Sequence, residues 1–279
     1  KDGTALTYIY TQKTLEGFLL KNRLVFDEIT FNFLKAFEQH LLKSEISGNT
    51  MSIHFRNLRS LTYHYYNSID KPITSAFLKF NIKRLETRSN KPTLTQTQLK
   101  KLFDFEPVIG SVEDFAKDIF IFSFLARGMN HTDIAQLIPK NIINGTILFH
   151  RAKTNGATQI TINSIMKQII NKYNGKSELD YIFPILRKGY NIKHSIRLSN
   201  RSINSAYRRI AKKICIPDFS FYTARHTWAN LARQNNFSIE MISQGLGHSD
   251  LRTTKTYLSS FGNNEIDDIT NKVIESIQI

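Results

Sequence analysis

Residues 221–257 read FYTARHTWANLARQNNFSIEMISQGLGHSDLRTTKTY and carry three kinds of reactive side chain in a fixed order. Arg225 stands beside His226, His248 follows a glycine, and Tyr257 closes the stretch. A guanidinium binds phosphate oxygens in pairs, an imidazole shares or transfers protons, and a phenol can act as a nucleophile. This order indicates chemistry on a phosphate ester, and the rest of the chain is interpreted as the frame that brings a phosphodiester to Tyr257.

The charge of the chain indicates a polyanionic partner. The 279 residues carry a formal net charge of +15, and their composition gives a pI near 9.8. Residues 1–92 contribute +6 and residues 93–279 contribute +9, so the charge is spread over both parts. Neutralisation of phosphates with release of counterions drives binding to such a surface. A basic surface that only keeps the protein soluble explains the net charge alone equally well.

Other features of the composition limit the class of protein. A length of 279 residues accommodates two domains, and an apolar content of 41% predicts folded cores. The single cysteine, Cys215, excludes an internal disulfide framework and fits a reducing compartment. No apolar run approaches the roughly 18–20 residues of a membrane span, so no membrane partner is expected. The abrupt opening at Lys1 suggests that a preceding segment, such as a further DNA-binding domain, is missing.

The first part of the chain is predicted to be a small helical bundle over residues 1–82. Helical patterns cover about 5–21, the segment after Thr30, the segment from about 49, and about 75–80. Thr30 is a suitable N-cap for the second helix. Helices so close together, joined by short turns, are typical of a bundle.

Basic side chains in this part are candidates for DNA contact. Arg56 and Arg59 lie three residues apart on the third predicted helix, where a solvated helix face explains them as well as phosphate contact does. Residues 83–94 are polar and basic and are predicted to form an interdomain linker. The linker carries three cations, Lys83, Arg84 and Arg88. They would either lie along a DNA backbone or simply keep the linker soluble.

The second predicted domain covers residues 95–262 and combines helices with a small antiparallel sheet. One helix is expected after Thr95, and an almost wholly apolar helix after Ser111 ends near Arg127. The pattern then changes to period two, which predicts strands near 146–150 and 158–162 joined by a hairpin that carries Lys153. The fold class is therefore mainly α with a mixed α/β second domain.

Three motifs resemble the tyrosine recombinase family, also called the phage integrase family. LGHSDLRTTKTY has the family's Leu-Gly-His followed nine residues later by tyrosine, YTARHTWA matches the arginine-histidine box, and RAKTNGA matches the lysine-bearing hairpin. The resemblance covers residue 95 onwards, and residues 1–82 look like the family's SAM-like core-binding domain. The style of ARGMNHTDIAQL is similar to integrases of Bacteroidetes mobile elements, which implies a bacterial cytoplasmic protein that acts on DNA.

The resemblance implies site-specific recombination of DNA through a 3′-phosphotyrosine and a Holliday junction. Tyr257 would attack phosphorus, Arg225 would stabilise the pentavalent transition state, and Lys153 would protonate the departing 5′ oxygen. His248 would bind a phosphate oxygen or assist proton transfer at Tyr257. No cofactor and no metal is expected.

Two positions depart from the family pattern. The arginine-histidine box opens with Tyr222, where the family has histidine or lysine, so this position can donate a hydrogen bond but brings no positive charge. The family pattern places its first arginine three residues before an acidic residue, and in this sequence that position, counted back from Asp133, is Asn130. Arg127 lies about one helical turn earlier, and we assign it this arginine's role.

The last predicted element is a docking helix over residues 263–279. It is acidic and carries one apolar stripe, which consists of Ile266, Ile269, Val273 and Ile277. In the resembling family a C-terminal segment packs on a neighbouring protomer, so we expect a tetramer assembled on double-stranded DNA, with packing of the helix back on its own chain as the alternative. A DNA-bending accessory protein is a further partner that the resemblance implies.

Three alternatives stay open at this point. A DNA invertase of the same family and a type IB topoisomerase-like enzyme would use the same tyrosine, and tetramer-dependent strand exchange separates recombination from relaxation. A catalytically decayed DNA-binding regulator would form no covalent complex with DNA, and Tyr222 and Asn130 keep this alternative open.

Overall fold

A computed structural model of the chain describes residues 2–19, 23–72, 76–87, 91–152 and 156–248, together with 251 and 254. The chain divides into two compact units, Lys1–Asn90 and Lys91–Ile279. The predicted docking helix over 263–279 lies outside the described residues. Among the residues that the structure describes, no helix combines the length and the apolar character that a membrane span requires.

The first unit is a helical bundle, as the sequence predicts. Its helices are α1 (Asp2–Leu19), α2 (Phe31–Lys43), α3 (Gly48–Ser68) and α4 (Ala76–Lys79). Thr30 is the N-cap of α2, and its side chain accepts a hydrogen bond from the backbone N–H of Phe33. Ser47 caps α3 in the same way through the N–H of Thr50.

Aromatic side chains fill the core of this unit. The rings of Phe37, Phe55 and Phe80 contact one another in sequence, at centroid distances of 5.5 and 4.5 Å. A short 3-10 turn over Ile82–Leu85 also packs on this core, because the side chains of its first and last residues are both buried. Within the predicted linker over 83–94, Leu85 packs in the first core and Leu94 is buried in the second.

The second unit combines helices with one small sheet. Its elements are α5 (Gln96–Asp104), α6 (Val112–Leu125), α7 (His131–Ala135), β1 (Ile142–Ile143), β2 (Thr146–His150), β3 (Ala157–Thr161), α8 (Ser164–Tyr173), α9 (Ile192–Lys213), α10 (Thr223–Gln234) and α11 (Ile239–Leu246). Thr95 and Ser111 are the N-caps of α5 and α6, and each accepts a backbone hydrogen bond from the third residue of its helix.

Helix α6 is the centre of the second core and packs against α5, α8, α9 and α10. The sequence predicts a helix apolar nearly all round, yet two of its buried residues are acidic, Asp114 and Asp118. Both carboxylates accept hydrogen bonds from Lys172 Nζ on α8, at 2.6 Å each. These ion pairs are the reason why charged residues are tolerated on this buried helix.

The sheet has three antiparallel strands in the order β1-β2-β3. The register of β2 and β3 pairs Ile147 with Ile160, and both side chains are buried. The sequence predicts β2 and β3 within one residue at each end, but the two-residue strand β1 is too short to produce a periodic pattern. The tip of the β2–β3 hairpin, residues 153–155, lies outside the described residues.

Candidate active site

Arg225 lies at the junction of three elements. Its position on α10 buries it to 5% exposure, and its donors reach across to two other elements. Nη1 donates to the carbonyl oxygen of Gly128 after α6 at 2.9 Å, and Nη2 donates to the carbonyl oxygen of Leu246 at the end of α11 at 2.6 Å. A guanidinium held by two backbone carbonyls is fixed in orientation before any ligand binds.

Two glycines make this junction possible. Gly128 has φ +72°, and a Cβ there would lie 2.5 Å from Arg225 Cβ. Gly247 has φ +60°, and a Cβ there would lie 2.9 Å from Arg151 Cζ. Both positions therefore need a left-handed backbone and a close approach, which glycine alone provides without strain. This gives a physical reason for the glycine of the Leu-Gly-His motif.

His248 connects Arg225 to the segment that carries the tyrosine. Its Nε2 lies 2.9 Å from Arg225 Nη2, and its Nδ1 lies 2.9 Å from Thr254 Oγ1. A guanidinium only donates, so Nε2 accepts, and the proton of the neutral ring belongs on Nδ1 and faces Thr254. Burial, followed by the nearby charges of Arg225, Arg151 and Lys91, lowers the pKa of His248 to about 4. The imidazole is thus neutral at pH 7.

Asp133 is the buried carboxylate of the site. Its Oδ1 accepts from the backbone N–H of Ala152 at 3.0 Å, which connects α7 to the end of the hairpin. Burial raises the pKa of Asp133, and the charges of Arg151 and Arg225 act in the opposite direction. Asn130 caps α7 and bonds Asp133 through both its side-chain oxygen and its amide nitrogen. It therefore has a structural task at the position where the family pattern has arginine.

Arg151 is a site residue that the sequence reasoning did not single out. It follows β2, lies against Gly247, and its Nε is 3.4 Å from Thr158 Oγ1. Its charge acts to lower the pKa of both His248 and Asp133, so its guanidinium belongs to the same site as Arg225. A signal was present in the sequence, because Arg151 stands two residues before Lys153 in the motif RAKTNGA that matches the family's hairpin. The approach of the hairpin to Gly247 was not readable from the sequence.

The structure does not bring the side chain of Arg127 to this group through any described contact. Arg127 and Gly128 both have positive φ, 55° and 72°, so the chain reverses here and helix α6 has already ended at Leu125. Arg127 and Asn130 are therefore not joined by the helical turn that the sequence analysis expected. Arg127 instead borders a cavity of about 510 Å³ between the ends of α6, α10 and α11. Its role at the phosphate stays a prediction.

Tyr222 and His226 lie one turn apart at the start of α10. Tyr222 is 44% exposed, and its ring meets that of His226 edge to face at a centroid distance of 4.8 Å. His226 is buried, and burial together with the charges of Lys91 and Arg225 lowers its pKa to about 4. The backbone N–H of Leu94 donates to Thr227 Oγ1 at 3.0 Å, which holds the segment after Lys91 against α10.

The remaining predicted residues fall in two groups. Lys153, Tyr257 and Arg88 lie outside the described residues. In the first unit, Arg56, Arg59 and Lys83 surround one concave surface. Arg84 differs from them, because it forms an ion pair with the buried Glu38 and its guanidinium lies 5.3 Å from the centre of the Phe80 ring.

The fold and the site together define the class of this protein. Residues 92–263 match the model of the phage integrase family, and residues 1–66 match that of the phage integrase SAM-like domain. The chain therefore belongs to the phage integrase family, whose members are tyrosine recombinases. The predicted family and fold class are both confirmed.

Solved structures of integrases share the fold of the chain. One is the integrase of transposon Tn1549 in complex with circular intermediate DNA, with a TM-score of 0.76, 15% identity, and coverage of 98% of this chain and 94% of that chain. Another is a lambda integrase dimer bound to a COC′ core site, with a TM-score of 0.69, 15% identity and coverage of 94% and 90%.

Two curated relatives are also similar in sequence. Tyrosine recombinase XerA of Saccharolobus solfataricus is 21% identical over 255 residues, which are 90% of this chain and 79% of the relative. Transposase A of transposon Tn554 from Staphylococcus aureus is 24% identical over 135 residues, 48% of this chain. The matched region spans only 36% of that transposase.

Proposed function

We propose that the chain is a site-specific DNA recombinase that cleaves and rejoins DNA through a 3′-phosphotyrosine and a Holliday junction. The observation that carries this proposal is the fixed guanidinium of Arg225, bonded to the neutral His248, with the guanidinium of Arg151 against the adjoining Gly247. These two cations and one buried carboxylate leave a positive site that suits a phosphodiester. The DNA complexes of the Tn1549 and lambda integrases support the same substrate class.

The reaction follows from the chemistry of the groups. The phenol of Tyr257 releases its proton to water as its oxygen attacks phosphorus, a bond forms between tyrosine and the 3′ phosphate, and the bond to the 5′ oxygen breaks. Lys153 supplies the proton to that departing oxygen. The covalent bond to tyrosine conserves the energy for rejoining, in which a 5′ hydroxyl of the partner strand replaces the phenol.

Two guanidiniums stabilise the transition state in this proposal. Charge grows on the non-bridging oxygens as phosphorus becomes pentavalent, and preorganised donors lower the barrier because they need no reorganisation. Arg225 is preorganised by two carbonyls. Arg151 acts as the second guanidinium in this proposal. In the family pattern that arginine stands at the position of Asn130.

A comparison of two variants tests the assignment of the second arginine. Arg151→Ala is expected to reduce the rate of strand cleavage by about a hundredfold or more, the size of loss seen when one charge-stabilising donor is removed. Arg127→Ala is expected to cleave DNA at nearly the unchanged rate. The reverse result would return the role to Arg127, as the sequence first suggested.

In this proposal, the cavity that Arg127 borders binds the C-terminal segment of a second copy of the chain. It is lined mainly by apolar side chains, among them Phe124, Leu231, Met241 and Ile242, with Arg127 at its edge. The segment 263–279 has a matching apolar stripe and four acidic residues. The lambda integrase tetramer bound to a Holliday junction supports a tetrameric assembly on DNA.

Deletion of 263–279 and the variant Met241→Glu test this docking. Met241 is 58% exposed, so the new carboxylate should leave the fold intact while it repels the acidic segment. Both changes are expected to abolish tetramers on DNA while single-site binding persists. Unaltered assembly by sedimentation in either variant argues against the acceptor site.

Recombination itself distinguishes the proposal from its alternatives. A binding site is first selected from a randomised pool of duplexes, and two duplexes that carry this site are then incubated with the full chain. A recombinase yields duplexes with exchanged arms. Relaxation of supercoiled DNA without exchange would favour the topoisomerase-like alternative, and binding without any cleavage would favour the decayed regulator.

A further inference from the structure

One concave surface of the first unit combines cations with an exposed leucine. A cavity of about 570 Å³, here called the α3–α4 concavity, is lined by residues of α3, of α4 and of the 3-10 turn that follows. Three exposed cations surround it, namely Arg56, Arg59 and Lys83, against one carboxylate, Glu86. The net positive charge of this surface fits a polyanion.

Arg56 is held in place on this surface. Its Nε donates to the carbonyl oxygen of Ser52 at 3.2 Å, and its Nη2 donates to Ser52 Oγ at 2.8 Å. Glu86 lies 3.6 Å from the same guanidinium. A guanidinium oriented in this way loses little conformational entropy when it contacts a phosphate, because most of its freedom is already lost in the free protein.

Leu78 is the most exposed of the large apolar side chains that the structure describes in the first unit. Helix α4 is anchored by Ala76 and Phe77, which are 5% and 4% exposed, while Leu78 between them and Lys79 is 76% exposed. The leucine borders the α3–α4 concavity together with the three cations. An apolar partner protein would have to desolvate those cations, which is costly, whereas DNA offers phosphates for the cations and apolar groups at its base edges.

We propose that Leu78 reads a thymine. This proposal rests on the proposed DNA recombinase function. Phosphates are held by three cations, Arg56, Arg59 and Lys83, and the leucine side chain packs against the 5-methyl group of a thymine in the major groove. The methyl group is the only apolar group that distinguishes one base pair from another there. The cations thus supply affinity that is independent of sequence, and Leu78 supplies specificity.

Replacement of thymine by uracil tests this proposal, because it removes the methyl group and nothing else. A duplex is selected from a randomised pool by the full chain, and each thymine is replaced in turn by deoxyuridine. The unaltered chain is expected to bind one uracil duplex about fourfold more weakly, the effect of one buried methyl group. Leu78→Ala is expected to bind the thymine and uracil forms of that duplex equally.

Two control variants separate this contact from general effects. Leu42→Ala changes another exposed leucine of the first unit, 48% exposed on α2, and should keep the fourfold preference. Arg59→Ala should weaken binding to both forms equally and make binding less dependent on salt. The inference is overturned if Leu78→Ala keeps the full preference, or if no single uracil weakens the unaltered chain. Failure to select any duplex would instead overturn the proposed function as a whole.

Discussion

At the scale of single residues, the site is organised by which groups can donate and which can accept. Arg225 donates to two carbonyl oxygens and to His248, and His248 in turn donates to Thr254. The pKa of His248 near 4 keeps this direction fixed at neutral pH. This series of hydrogen bonds ends at Thr254, which lies three residues before Tyr257 in the sequence.

Thr254 is therefore expected to act as a positioning residue for cleavage. Thr254→Val keeps the shape of the buried side chain but removes the acceptor of the Nδ1 proton, so the imidazole loses one of the two hydrogen bonds that orient it. We expect the cleavage rate to fall about tenfold or more, with DNA affinity unchanged. Thr254→Ser, which keeps the hydroxyl, should restore most of the rate. Equal rates for the valine variant and the unaltered chain would remove Thr254 from the mechanism.

At the scale of secondary-structure elements, the site depends on two close approaches of backbone to Arg225. The turn after α6 approaches α10 at Gly128, and the end of α11 brings Leu246 to the same guanidinium. The ends of α6 and α11 thus hold the guanidinium of Arg225 in place, and the position of Arg225 in turn orients His248.

The variant Gly128→Ala tests this approach. The new methyl group would require both a left-handed backbone and space that Arg225 occupies, so we expect a loss of about 3 kcal/mol in the free energy of unfolding. Gly110→Ala is a matched control, because Gly110 has φ +78° but no atom within 4 Å of the added group. Its expected cost is about 1 kcal/mol. Chemical denaturation measures both values, and equal losses would show that the approach to Arg225 is unimportant for stability.

Elements were easier to predict from the sequence than their contacts. Thr30, Thr95 and Ser111 were readable as helix starts because an N-cap acts within four residues. Arg225 and His248 were readable because their spacing matches a family motif. The position of Arg151 was not, since it depends on how the hairpin packs on Gly247, nearly a hundred residues later in the chain.

At the scale of the whole molecule, buried histidines couple stability to pH. Burial lowers the pKa of His131 to about 4, and burial with neighbouring cations does the same for His226 and His248. In the unfolded chain these groups titrate near 6.5. Between pH 7 and pH 4 the unfolded chain therefore binds protons that the folded chain does not, and stability falls as the pH falls.

The variant His131→Gln isolates one of these contributions. His131 is 5% exposed, and its ring meets that of Phe221 edge to face. The unfolding free energy of the unaltered chain should drop between pH 7 and pH 4.5, and in the variant this drop should be smaller by about 2 kcal/mol. Urea titrations at both pH values give the comparison. An identical drop in both proteins would mean that His131 is not a neutral buried group.

Covalent trapping on a nicked duplex shows whether Arg225, Arg151 and His248 present a phosphodiester to Tyr257. A duplex that carries the selected site and a nick beside the scissile phosphate releases the short 5′-hydroxyl strand, so that rejoining is prevented. We expect a protein–DNA complex that is stable in detergent, with the 3′ phosphate on Tyr257 by peptide mapping, and we expect its loss in Tyr257→Phe. A complex that persists in Tyr257→Phe, or the absence of any complex from the unaltered chain bound to this duplex, would show that Tyr257 is not the nucleophile of this site.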